Sequence, residues 1–142
     1  MSNFDKQEIR IAGIFDRDEM PEVDDRTLRI YFAYLQKNLE FPCNLTGIEM
    51  FSWEERYVFG GGNEIEYEKL KKTQPSYTDT FKLLGLDGEI DESYGILVNV
   101  RRVSDKRKFT LPLALLEAIN KQSKNYQLVD DFSVWFVNYN NQ

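Results

Sequence analysis

Histidine is missing altogether from the 142 residues of the chain. That removes the usual general base near neutral pH, and with it ordinary Ser-His and Cys-His nucleophilic sites. Cysteine occurs once, at Cys43. A single thiol excludes an intramolecular disulfide and fits a reducing, cytoplasmic setting. Zinc, iron and copper sites built on His and Cys fail by counting. No apolar run approaches the roughly 20 residues that span a bilayer. The opening segment Met1 to Glu8 is too charged for a signal peptide, so no membrane role is expected. Basic charge is also scarce: 18 Lys and Arg face 24 Asp and Glu, a net charge of −6. That balance opposes generic nucleic-acid binding, because phosphates demand a positive footprint. It suits a cation or a basic partner. No internal repeat, low-complexity stretch or linker divides the chain, which predicts a single domain over 1–142.

Core material, by contrast, is plentiful, with 10 Phe, 8 Tyr and 2 Trp, so neither disulfide nor zinc is needed for folding. An apolar-rich run from Ile9 to Phe15 leads into an acidic loop, Asp16 to Asp25. Asp24 or Asp25 can then cap a helix over about 25–39. Its positions Leu28, Tyr31, Phe32, Leu35 and Leu39 follow helical spacing. Phe41-Pro42 ends it. Beyond Cys43 the period shortens. Leu45–Met50, Arg56–Phe59 and Phe81–Leu86 read as strands, with Gly60–Asn63 as a turn and Asp87–Ser93 as an acidic connection. Glu64–Lys72 fits either a short helix or an exposed loop. Tyr94–Val103 is the clearest strand, with Ile96, Val98 and Val100 inward at period two. Ser104–Arg107 turns it into Lys108–Leu111. Pro112–Ile119 reads as one or two helical turns, and a last helix occupies about 126–138. The expected class is α+β: a small barrel or strongly bent antiparallel sheet over about 43–112, flanked by an N-terminal and a C-terminal helix.

Three local features offer chemistry. The glycines Gly60 to Gly62 lack the Lys-Ser or Lys-Thr of a phosphate loop, and read as a turn. Arg101-Arg102 with Lys106-Arg107-Lys108 forms a basic hairpin, suited to an acidic partner or to guarding a sheet edge. Paired carboxylates of a hydrolase type are not singled out anywhere, so no enzyme is expected.

A longer pattern is more specific. Tyr94–Arg101, Leu111-Pro112-Leu113, Leu116-Glu117 and above all Ser123–Phe136 resemble the CcbP-type calcium-binding proteins. Tyr34-Leu35 and Leu39–Pro42 resemble the helix and Phe-Pro element that open the same domain. Cys43 departs from the aromatic residue expected after Phe-Pro, a change in packing. The resemblance implies a small acidic bacterial protein with an SH3-like β-barrel, acting as a non-enzymatic calcium-binding or calcium-responsive regulator. The alternative is an SH3-like interaction module that binds an unidentified protein partner without calcium.

Calcium takes six to eight oxygen ligands. The best local supply is Asp87-Gly-Glu-Ile-Asp-Glu92, in which Asp87, Glu89 and Asp91 can converge on one side of a curved loop and Glu92 adds a further carboxylate. It is no EF-hand: the sixth position is Glu92 instead of glycine and the twelfth is Val98 instead of glutamate. Such a site must borrow oxygens elsewhere or keep waters. Asp131, beside Asp130, is the candidate for that loan. Its competing role is to meet the dipole in the first turn of the last helix.

Overall fold

A computed structural model describes residues 3–140. In chain order it contains helix α1 (Asn3–Ile14), α2 (Asp25–Asn38), strand β1 (Asn44–Gly47), α3 (Glu55–Val58), α4 (Glu64–Lys71), β2 (Phe81–Asp91), β3 (Gly95–Arg102), β4 (Lys108–Pro112), β5 (Leu116–Ala118) and α5 (Lys124–Tyr139).

The run Ile9 to Phe15 is thus the end of a helix and the turn after it. Its buried residues Ile11 and Phe15 face α2 and α5. The α2 prediction holds to within a residue. Asp24 accepts from Thr27 N at 2.8 Å, and the Thr27 hydroxyl accepts from Asp24 N at 2.9 Å, so the two residues satisfy each other's end of the helix. Leu28, Tyr31 and Leu35 are fully buried on its inner face.

The sheet is antiparallel, in the order β4-β3-β2-β1-β5. It is open. It does not close into a barrel, since β4 and β5 lie at opposite edges instead of pairing. Leu113–Leu115 make a 3-10 turn after β4. The chain then crosses under α5, with Ala114 O accepting from Ser133 Oγ at 2.7 Å, and β5 joins β1 (Leu45 opposite Ala118). The alternative expectation, a bent antiparallel sheet, describes what is seen. Bending is concentrated in β2, whose pairing with β3 slips between Leu83 and Gly85 and again between Leu86 and Ile90.

Helices α2 and α5 cover the inner face of the sheet, where Ile96, Val98 and Val100 are fully buried as their spacing predicts. The centre is aromatic. Tyr31 lies 5.0 Å from Trp135 and 5.1 Å from Phe132 between ring centroids, and Trp135 Nε1 donates to Pro21 O at 2.8 Å. The Tyr31 hydroxyl has no partner among the described residues. Burial above all, with the Asp131 charge adding to it, drives its pKa well up.

Two short readings fail. Arg56–Val58 belong to helix α3 and Phe59 to the turn after it, with no strand. The β-forming residues Tyr57, Val58 and Phe59 are overruled by tertiary packing, in which the Tyr57 ring stacks on Tyr67 at 5.3 Å. Leu116–Ala118 is a strand where helical turns were expected, because β1 offers it an edge to pair with.

Candidate functional site

The acidic segment 87–92 is not a loop. Asp87 to Asp91 form the end of β2, and the hairpin turn into β3 begins at Glu92. Between the pairs Leu86–Val98 and Ile90–Ile96, three residues of β2 stand opposite Leu97 alone. Asp87, Gly88 and Glu89 therefore bulge out of the ladder, with Asp87 half-buried and Gly88 and Glu89 exposed. The turn closes on a glycine for a physical reason. Gly95 has φ +78, and a Cβ there would lie 2.8 Å from the Phe136 ring. Phe136 belongs to the signature segment of α5, so that signature fixes where the acidic hairpin starts its return.

Each acid of the hairpin has a distinct setting. Asp87 accepts weakly from Glu89 N at 3.3 Å and from Asn99 Nδ2 at 3.5 Å. Glu89 is exposed. Asp91 accepts from Ser93 N at 2.6 Å, and so holds the turn. Glu92 reaches across to α2, where its Oε1 accepts from Asp25 N at 2.9 Å; its carbonyl accepts from Asn140 Nδ2 at 2.9 Å. It therefore supports the start of α2 beside Asp24, a favourable place for a carboxylate. Among the described residues no three carboxylate or thiol side chains converge as a metal cluster. Asp87, Glu89 and Asp91 share the hairpin but stand apart.

Asp131 is elsewhere. Helix α5 starts at Lys124, capped by Ser123, and has no acid in its first turn, so Asp131 does not meet the helix dipole there. It is buried and held by α1: Arg10 Nη2 and Nε donate to its two oxygens at 2.8 and 2.9 Å, and Gln7 Nε2 donates at 2.9 Å. That hydrogen bond raises the Arg10 pKa. The hairpin instead meets the C-terminal end of α5, where Gly95 packs on Phe136 and Asn140, just past the helix, donates to Glu92 O. The structure brings the start of α2 to the hairpin and keeps Asp131 away.

The structural roles of two buried charged residues escaped sequence reasoning. Glu54 is fully buried and accepts four hydrogen bonds, from Phe51 N (3.1 Å), Tyr77 N (3.0 Å), Tyr67 Oη (2.9 Å) and Ser76 Oγ (2.6 Å). It ties the 51–76 excursion to the turn that leads into β2. Arg102 is the second. Its guanidinium donates to the carbonyls of Lys71, Lys72 and Gln74 and to Asp79 and Asp105, all within 3.0 Å. It closes the C-terminal end of α4 against β3, so the basic hairpin presents one fewer cation to a partner than its sequence suggests. Neither had a sequence signal, since each partner set comes from distant turns.

The CcbP family model, described as calcium binding, matches residues 63–136, just over half of the chain. The chain belongs to the CcbP calcium-binding family. Among solved structures it is similar to Anabaena CcbP, at 19% identity and a TM-score of 0.57, over 95% of this chain and 92% of that one. It is also similar to a calcium binding protein in the calcium-binding form, at 19% identity and a TM-score of 0.56, over 96% of each chain. At that identity the two likenesses establish a shared fold. No curated protein matches the chain.

Proposed function

We propose that this protein is a non-enzymatic, cytoplasmic calcium-binding protein, with the ion taken up at the bulged acidic hairpin. The observation that carries the reading is the family match, whose residues 63–136 span the whole hairpin. The donor chemistry agrees. Segment 87–92 supplies four carboxylates and no nitrogen or sulfur side chain, the hard oxygen set that calcium prefers. What the hairpin lacks is a ready-made cage. Asp87 and Glu89 on the bulge would approach the ion first, because their present bonds are weak or absent. Asp91 would contribute the oxygen that does not hold the turn. Glu92 would have to share its carboxylate with α2. Waters would complete the shell, and affinity would be modest.

A regulatory role follows from that sharing. Calcium drawn to the hairpin would compete for the Glu92 carboxylate and alter its hold on Asp25, coupling the ion to the start of α2 and to whatever protein reads that surface. The test is a calcium titration of the isotopically labelled chain followed by amide chemical shifts. Saturable shifts centred on 87–95 and 24–26 support the assignment. Shifts centred on any other segment overturn it.

A further inference from the structure

We propose that the exposed face of α4 is a self-association surface, on which a second copy of this chain packs antiparallel about a two-fold axis. Helix α4 buries none of its residues. Tyr67 turns toward Trp53 and Tyr57, and this inward side leaves Glu64, Ile65, Glu68, Lys69 and Lys72 lining a shallow open groove. Positions 65, 68, 69 and 72 form one helical stripe. Ile65 is 81% exposed within it, and Val58 and Phe59, at the end of the neighbouring α3, are also exposed.

The charge order of the stripe selects the occupant. Its N-terminal half carries Glu64 and Glu68, and its C-terminal half carries Lys69 and Lys72. Among the described residues Glu64, Lys69 and Lys72 enter no ion pair, while Glu68 makes one with the partly buried Lys71. This order suits the dipole of α4 itself, but the dipole gives no reason for an apolar side chain in the stripe. A second copy does. When two such stripes lie antiparallel, Glu68 faces the partner's Lys69, and Ile65 lies on the aliphatic stem of the partner's Lys72. A two-fold axis makes each contact twice, and a parallel arrangement would set acid against acid. One short stripe is far smaller than a standard interface of roughly 800 Å2 per partner, so the dimer is weak and its formation depends on concentration.

Sedimentation velocity of the full chain, in chelator-treated buffer so that calcium plays no part, reads the association. The expected result is a monomer–dimer equilibrium as concentration rises toward about 1 mM, a range fitting weak association. Glu68→Lys alone and Lys69→Glu alone each set like charges together twice, and each should raise Kd by roughly tenfold or more. The double variant Glu68→Lys/Lys69→Glu should recover association, and so should a mixture of the two single variants. Both positions are exposed, and circular dichroism checks that each variant keeps its helix content. A chain that stays monomeric throughout overturns the proposal. So does a dimer that the single reversals leave intact, or one that the paired reversals fail to restore.

Discussion

Replacing Glu54 by glutamine changes a single atom type at a fully buried site, yet it should be among the most damaging substitutions in this chain. All four groups around the carboxylate are donors: two backbone amides, of Phe51 and Tyr77, on Oε2, and two hydroxyls, of Tyr67 and Ser76, on Oε1. Glutamine has one acceptor oxygen, and its NH2 must face one of these pairs. The amides cannot reverse, so the oxygen stays with them and the NH2 meets the hydroxyls. Those can rotate to accept, at the loss of two charge-assisted bonds worth about 1.5–3 kcal/mol each, partly recovered as weaker ones. The net cost is about 2–4 kcal/mol, or a fall in Tm of roughly 5–12 °C for a chain of this size. Urea unfolding of the wild type and the Glu54→Gln variant measures it. Amide exchange at Phe51 and Tyr77 would show whether the 51–80 region opens ahead of the sheet. A loss below about 0.5 kcal/mol with unchanged exchange would refute the role given to this carboxylate.

Two further outcomes follow from the same geometry. Tyr67 is held in its neutral form first by burial and then by the hydrogen bond to Glu54, which push its pKa up to about 12. A pKa above the unfolded value of about 10 stabilises the fold fully below pH 10, and that contribution is lost as pH rises through about 12. The ultraviolet phenolate titration of Tyr67→Phe should therefore lack a late-ionising tyrosine, and a variant lacking an ordinary one instead would contradict this. Asp131→Asn should lower stability by about 1–2 kcal/mol, since it weakens a charge-assisted pair with a half-exposed Arg10. It should leave the calcium isotherm unchanged, and an altered isotherm would return Asp131 to the ligand set.

What the sequence made legible were the elements with strong local grammar. Helix α2 announces its apolar stripe and its Asp24 cap, β3 its alternation through Ile96, Val98 and Val100, and α5 its dense signature ending at Trp135-Phe136. The elements that were misread depend on partners far along the chain. Strand β5 exists because β1 accepts it, and α3 because its tyrosine stacks on α4. The candidate site divides the same way. The supply of carboxylates in 87–92 was readable, but the bulge that carries Asp87 and Glu89 depends on register against β3. The oxygens to be borrowed were sought at Asp131, which a distant arginine on α1 had already claimed.

Calcium binding itself is tested most directly by isothermal titration in chelator-treated buffer, comparing the wild type with the variant Asp87→Asn/Asp91→Asn. The bulged hairpin predicts a saturable isotherm for the wild type at sub-millimolar to millimolar calcium, and its loss or marked weakening in the variant. No saturable heat from the wild type at millimolar calcium, or an identical isotherm from the variant, would contradict the assignment.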